Sequence, residues 1–345
     1  MKEKNTLNTS LFLLLFLLNI YALGNYFFSF NASPPTSKPT TKSTESSVTI
    51  SKAAMGDFNF STTNYFNPLQ LQEEYHSSIF NDNIKVFTLT TDGDEYGQSI
   101  WMKRKSGKVK AKYFAYKDLN DDRSVYSKYR SWQGSKDIVL VCSGAYTTES
   151  SGNSNMIPAG LTVDNGNVVN RNYRDDMDGL VLVYATGGIV VSDIEEGNLW
   201  LQTLERRVDV KESADRTALI AWAKQEEATI FQTHLLAYRN ELRIDERGRT
   251  ERAERRMLVL AIDGEGEVVH ILFNIQEEGY LYDIAKNIMN YLNEKKINVV
   301  AMLNLDTGWY NILEVYSKNG NKYSDIQGDK PLTKATNLVA YYYED

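Results

Sequence analysis

Short runs of β-branched and apolar residues, separated by turn-forming residues, recur along this chain and restrict the folds open to it. The clearest run is IVLVC at 138–142, which is continuous and therefore typical of a strand buried on both faces. Residues 109–116 instead alternate apolar residues with lysines, as a half-buried strand does. Further strands are predicted at 84–89, 99–102, 180–184, 188–191, 230–236, 257–262, 268–273 and 299–303. A chain with so many strands has to build an extensive sheet.

Two segments have the periodicity of an α-helix. Residues 215–227 follow Ser213 and place their apolar side chains on one side. Residues 283–295 carry Ile284, Ile288 and other apolar residues at helical spacing, and end in lysines that the helix dipole favours. Since strands and helices do not alternate strictly, the predicted fold class is α+β, with a large mixed β-sheet and a few flanking helices.

The N-terminus has the pattern of an export signal. Lys2 and Lys4 precede an apolar segment at 11–23, and Ala22 and Gly24 fit the small-residue pattern of a cleavage site. Residues 1–24 are therefore predicted to be a signal peptide. The alternatives are an uncleaved anchor that tethers the protein to a membrane through residues 11–30, or a buried helix. A signal or an anchor predicts a protein that is secreted, periplasmic or at the cell surface.

A Ser/Thr/Pro-rich tether is predicted at 25–57. Within it, 14 of the 24 residues from 31 to 54 are Ser, Thr or Pro. Such a stretch buries too little apolar surface to offset the entropy lost on ordering. The folded domain is therefore predicted to span residues 58–345.

Removing the predicted signal and most of the tether is expected to leave the domain intact. A chain that lacks residues 1–54 should be soluble and should melt at the same temperature as the longer form, because those residues lack apolar periodicity. Thermal unfolding followed by circular dichroism checks this. A melting temperature many degrees lower in the truncated chain would show that the segment packs against the domain.

Composition argues against several classes of protein. The formal net charge of −7 is opposite in sign to the basic surface that nucleic-acid binding requires, so no nucleic-acid partner is predicted. The single cysteine, Cys142, excludes an internal disulfide and any CxxC-type zinc or redox site. There is no P-loop, GxSxG, HExxH or GxGxxG motif. No metal ligands and no cofactor are predicted, and a divalent cation is left open.

Four motifs between residues 138 and 316 occur in a distinctive order. They are VCSGAY at 141–146, PAGLTVDNG at 158–166, RMLVLAIDG at 256–264, and a segment that runs from YLYDIA at 280–285 to MLNLDTG at 302–308. Their order and spacing resemble those of the phosphodiester glycosidase family. The chain departs from the family at Ser143, where the family has asparagine, and at 306–311 (DTGWYN), where it has Asp-Gly-Gly-Gly-Ser-Ser. The resemblance implies a phosphodiester glycosidase-like domain.

The resemblance also implies a reaction, the hydrolysis of a glycosidic bond next to a phosphodiester. Such a reaction needs a carboxylate beside the anomeric carbon and a proton donor at the leaving oxygen. Asp306 is the candidate carboxylate, His234 or Glu149 the candidate proton donor, and Arg256 the candidate phosphate ligand. The other candidate substrate-binding residues are Ser143, Gly144, Tyr146, Gln232, Gly308 and Trp309. The expected partner is a carbohydrate or a sugar phosphate.

Three functions remain open at this point. The first is a glycoside hydrolase acting on sugar-1-phosphodiesters of surface or envelope glycans. The second is a non-catalytic glycan-binding or envelope-scaffold protein on the same fold, which the altered motifs favour. The third is an unrelated α+β surface protein. Convergence of the candidate side chains on one cleft would favour the enzyme, whereas filling of that cleft by Trp309 and Tyr310 would favour the binding protein.

Overall fold

The computed structural model describes residues 71–79, 83–104, 107–115, 124–134, 136–149, 156–197, 199–201 and 204–344. All of them belong to one unit, Asn64–Asp345. The predicted signal peptide and tether lie outside the described residues, as does the predicted start of the domain. Among the helices within these ranges, none has the length and apolarity needed to cross a membrane.

Strands make up most of the described chain. They are β1 Gln72–Ile79, β2 Ile84–Thr91, β3 Asp94–Lys103, β4 Val109–Phe114, β5 Asp137–Ser143, β6 Thr147–Glu149, β7 Met156–Pro158, β8 Thr162–Asp164, β9 Asn167–Asn170, β10 Gly179–Val183, β11 Ile189–Asp193, β12 Trp200–Leu201, β13 Arg206–Arg207, β14 Thr229–Tyr238, β15 Glu241–Leu242, β16 Arg252–Ile262, β17 Val268–Tyr280, β18 Asn298–Leu305, β19 Ile312–Tyr316, β20 Lys322–Gln327 and β21 Leu338–Tyr343. The helices are α1 Val125–Gln133, α2 Ser213–Gln225 and α3 Leu281–Glu294. The predicted α+β class, with a large sheet and a few helices, is confirmed.

The strands form two principal sheets. The larger sheet has the order β1-β2-β3-β17-β16-β18-β14-β10-β11; in addition, β8 and β15 pair with β14, and β9 pairs with β8. The smaller sheet has the order β20-β19-β5-β21-β4. Every strand pair in the described residues is antiparallel, where a mixed sheet had been expected. The two sheets bury one core between them, with Leu140 and Val339 from the smaller sheet and Leu258 and Leu303 from the larger.

Each helix covers a sheet surface with an apolar side. Helix α3 buries Ile284, Ile288 and Leu292 against the large sheet. These side chains lie on the apolar face that their helical spacing predicts. Helix α2 buries Leu219 in a cluster with strands β10 and β14. The unpredicted helix α1 packs Val125 and Tyr129 on the smaller sheet.

A buried histidine links the two sheets. The Nδ1 atom of His270 on β17 lies 2.8 Å from the hydroxyl oxygen of Tyr341 on β21, and His270 is 2% exposed. Burial lowers the pKa of His270 well below its ordinary value, and the charge of Arg104 lowers it further. Folding therefore requires the neutral imidazole.

The buried histidine should make the fold sensitive to acid. Below about pH 6.5 His270 is protonated in the unfolded chain but not in the folded chain. The free energy of unfolding should therefore fall by up to about 1.4 kcal/mol for each unit by which the pH is lowered. In His270→Gln, this part of the pH dependence of the unfolding free energy should be absent. Urea unfolding at pH 7.5 and 5.5 checks it, with the two proteins compared at each pH so that other titrating groups cancel. An identical pH dependence in both proteins would contradict the prediction.

Candidate functional site

Three side chains meet where the two sheets approach each other at their strand ends. His234 on β14 lies opposite Asn304 on β18 in the strand register. Tyr146 follows β5, and its ring stacks edge-on against the His234 imidazole at 5.1 Å between centroids. The Tyr146 hydroxyl accepts a hydrogen bond from the Nδ2 atom of Asn304. Residues of two family-like motifs, VCSGAY at 141–146 and MLNLDTG at 302–308, are thus brought together.

Asn304 was not among the predicted site residues. It lies two residues before Asp306, and alternation along a strand puts such residues on one face, so the spacing could have identified it. Its side chain is 1% exposed, and its Oδ1 atom has no hydrogen-bond partner in the described part of the chain. A buried acceptor without a partner costs about 1–3 kcal/mol.

Asp306 begins the turn that follows β18 and is 6% exposed. Its backbone N–H donates to the carbonyl oxygen of Gly144 over 2.9 Å, and its Oδ1 atom accepts the N–H of Gly308 over 2.9 Å. Burial raises the pKa of Asp306, whereas the Gly308 amide, the Arg256 charge and the Thr147 hydroxyl each lower it. The carboxylate is therefore oriented by its own turn and supported by donors that favour its ionised form.

Burial determines the protonation states of the other two titratable groups. It raises the pKa of Tyr146 to about 12, so the phenol keeps its proton at neutral pH. It lowers the pKa of His234, although the carboxylates of Asp176 and Asp178 act in the opposite direction. Both side chains are consequently neutral at pH 7.

Ser143 and Gln232, predicted to contact substrate, are buried and hydrogen-bonded to backbone segments. The Ser143 hydroxyl donates to the carbonyl oxygen of Tyr310 over 2.6 Å and accepts the N–H of Ile312 over 2.9 Å. The Gln232 Oε1 atom accepts the N–H of Leu161 over 2.7 Å, and its Nε2 atom donates to a carbonyl oxygen of the 171–178 loop. Both side chains therefore hold neighbouring backbone segments in place.

Arg256, predicted to bind the phosphate, is fully buried. Its Nη2 atom donates to Asn274 Oδ1 and its Nη1 atom to the carbonyl oxygen of Ile312, each over 2.8 Å. No carboxylate lies within 4 Å of this guanidinium among the described residues. Its charge does lower the pKa of Asp306, so Arg256 acts on the site through its electric field.

The remaining predicted residues lie around this cluster. A Cβ atom at Gly144 would lie 2.5 Å from Asn337 Oδ1, so only glycine allows this close approach. Gly308 is exposed, and Trp309 is 68% exposed and therefore does not fill the cleft. Glu149 ends β6, and its side chain lies outside the described residues. Over those residues, no group of three or more His, Cys, Asp or Glu side chains is placed to hold a metal ion.

The open spaces described in the structure lie away from Asp306. A cavity of about 540 Å³ is lined by side chains of the 171–178 loop, and a smaller one of about 160 Å³ lies near Trp132 and Tyr184. Residues 150–155, which connect β6 and β7, are outside the described residues. The cluster of Tyr146, His234, Asn304 and Asp306 is hereafter called the Asp306 site.

No protein-family model and no curated protein matches the chain. Among solved structures, it is similar to the catalytic domain of zebrafish N-acetylglucosamine-1-phosphodiester alpha-N-acetylglucosaminidase, auto-inhibited by its pro-peptide, at 14% identity and a TM-score of 0.43, covering 82% of this chain and 85% of that one. A hypothetical protein from Synechocystis aligns at 10% identity and a TM-score of 0.42, covering 80% and 68%. A protein of Burkholderia pseudomallei described as exported aligns at 9% identity and a TM-score of 0.40, covering 74% and 75%. At these identities the similarity concerns the fold alone.

Proposed function

We propose that this chain is an exported member of the phosphodiester glycosidase family, which hydrolyses the bond between a sugar and a phosphodiester in surface or envelope glycans. The observation that supports this most strongly is the Asp306 site, where a buried carboxylate, an unpartnered amide oxygen and two neutral ring side chains meet at the strand ends that carry the family-like motifs. The exported location is inferred from the apolar segment at 11–23.

Asp306 is assigned the carboxylate role. Cleavage of a glycosidic bond passes through an oxocarbenium-like transition state, which an adjacent carboxylate stabilises or attacks. The N–H of Gly308 fixes the orientation of this carboxylate. The buried charge of Arg256 favours its ionised form. Both conditions are present before a substrate binds, as preorganised catalysis requires.

The nature of the leaving group explains why the neutral side chains of Tyr146 and His234 are sufficient for the reaction. Hydrolysis of a sugar phosphodiester at the anomeric carbon releases a phosphate monoester, whose second pKa is about 6, so it can depart without a strong acid. The protonated hydroxyl of Tyr146 is suited to donate a hydrogen bond to that group. The neutral His234 is suited to accept a proton from the attacking water. Glu149 remains the alternative proton donor.

Assay of the secreted protein against a panel of sugar-1-phosphodiesters tests this proposal. We expect release of free sugar and phosphate monoester from at least one member of the panel. Neutral glycosides of the same sugars serve as the control and should not be cleaved. Binding of phosphodiesters without release of sugar from any of them would overturn the proposed activity and support a binding protein.

A non-catalytic glycan-binding protein is the second candidate, and one observation favours it. Trp309 exposes 68% of its surface three residues after Asp306, and the Nζ atom of Lys330 lies 5.2 Å from its ring centroid. An exposed indole ring provides a flat apolar surface of the kind on which a sugar can pack, and the nearby ammonium group can pair with an anion.

Trp309→Ala is expected to weaken glycan binding about tenfold, which corresponds to about 1.4 kcal/mol, and to leave the melting temperature unchanged. Isothermal titration calorimetry with a sugar-1-phosphodiester measures the affinity. Trp200→Ala is the matched control, because Trp200 is 55% exposed but lies on β12. Equal affinity of the parent and the Trp309 variant would remove Trp309 from the binding surface.

A further inference from the structure

A polar cavity lies beside the 171–178 loop, which adjoins His234. It has a volume of about 540 Å³ and is lined mainly by Arg171, Tyr173, Asp175, Glu195, Lys211 and Arg216. These residues come from the loop between β9 and β10, from the turn after β11, and from the segment 211–216 that leads into α2. The volume lies within the range of small-molecule sites, and the charged lining suits a polar ligand.

The lining of this cavity has more positive than negative charge. Lys211 Nζ pairs with Glu195 Oε1 over 2.5 Å, so those two charges offset each other. Two arginines, Arg171 and Arg216, then face one remaining acid, Asp175. Neither arginine has a carboxylate within 4 Å among the described residues. A local cationic excess in a chain of net charge −7 indicates an anionic ligand.

The cavity also has a fixed guanidinium group beside an aromatic ring. Arg216 Nη1 donates to the carbonyl oxygens of Val210 and Lys211 over 2.8 and 2.9 Å, which holds the guanidinium in place. The guanidinium carbon lies 6.0 Å from the centroid of the half-buried Tyr173 ring. A fixed cation beside an aromatic face suits a sugar that carries an anionic group, because the ring packs on the sugar and the cation binds the anion.

The loop that lines the cavity is also attached to the Asp306 site. Gln232 Nε2 donates to the carbonyl oxygens of Arg174 and Met177, and the backbone of Asp176 is hydrogen-bonded to the His234 side chain. Tyr173 and Asp176 are three residues apart, so their Cα atoms are separated by at most about 11 Å. An oligosaccharide that passes over the loop can therefore contact both places.

We propose that this cavity binds a second, phosphate-bearing sugar unit of the glycan whose bond is cut at Asp306. The substrate is then a phosphodiester-linked glycan chain, and Arg171 and Tyr173 recognise a unit away from the scissile bond. The assignment of the cut bond rests on the proposed function, but binding at the cavity can be measured without it.

Calorimetry on the full chain tests the proposal. The probes are a synthetic tetramer of hexose 1-phosphate units joined through phosphodiesters, and a neutral tetrasaccharide of the same hexose. All variants carry Asp306→Asn, so that turnover does not consume the probe. Arg171→Glu is expected to weaken binding of the charged tetramer at least tenfold. Lys318→Glu changes the net charge equally at an exposed turn and should leave the affinity unchanged.

Three results would overturn the proposal: an unchanged affinity in Arg171→Glu, equal weakening by Lys318→Glu, or equal affinity of the parent for the neutral tetrasaccharide. Failure of the proposed function has a different signature. In that case the chain with an intact Asp306 releases no sugar from any phosphodiester, while the affinities of the charged and neutral tetramers still report on the cavity.

Discussion

Asp306→Asn is expected to reduce the release of sugar from a phosphodiester substrate at least about a hundredfold and to change the free energy of unfolding by less than about 1 kcal/mol. The amide keeps the shape of the carboxyl group and can still accept the Gly308 N–H, but it lacks the negative charge that stabilises an oxocarbenium ion. Because burial raises the pKa of Asp306 in the folded chain, the ionised carboxylate lowers the free energy of unfolding at neutral pH. Removal of its charge should therefore not unfold the domain.

The matched control for this variant is Asp164→Asn. Asp164 is also a buried carboxylate that accepts a backbone N–H, from Ala115 over 2.8 Å, but it lies outside the Asp306 site. Turnover per folded molecule and urea unfolding are measured for both variants. If Asp306 serves only to cap its turn, Asp306→Asn will keep parental turnover, because the amide oxygen still accepts the Gly308 N–H. That result would remove Asp306 from the site.

Ile288→Asp is expected to lower the free energy of unfolding by about 3–5 kcal/mol. Ile288 is fully buried in α3, packed in the apolar cluster that joins the helix to the large sheet, so the substitution places an unpaired carboxylate among apolar side chains. Urea unfolding followed by circular dichroism measures the change. Asn293→Asp is the control, because Asn293 is exposed on the same helix, and it should change stability by less than about 1 kcal/mol. Equal stability of the two variants would contradict the assigned burial of Ile288.

Helices with a wide apolar face could be predicted from the sequence, and the others could not. The predicted segments 215–227 and 283–295 correspond to α2 and α3 because several apolar side chains of each repeat at helical spacing. Helix α1 has nine residues and buries only Val125 and Tyr129, too few for a periodic signal. The charged start of β16, from Arg252, was missed because its strand conformation comes from pairing with β17, and not from local apolar residues.

The Asp306 site could be predicted only where the motif resemblance pointed. The resemblance brought Tyr146 and Asp306 forward as candidates, and the structure places the Tyr146 ring against His234 and Asp306 close enough to Tyr146 to raise its pKa. Arg256 and Gln232 were predicted as substrate-binding residues, and the structure shows that both are buried. Burial of a polar side chain is decided by partners distant in sequence, such as Asn274 for Arg256, and a single sequence does not show these.

The position of β21 has a consequence for how the protein is made. This strand lies between β4 and β5, and its Tyr341 pairs with Leu140, about two hundred residues earlier in the chain. Contacts between such distant segments form slowly, because a long loop must close before they contribute stability. During synthesis, one edge of β5 stays unpaired until residues 338–343 have been made. Ser143 and Gly144, at the end of β5, lack their final surroundings until then. The sheet next to the Asp306 site, whose Asp306 N–H donates to Gly144 after β5, is therefore completed only once β21 has been made.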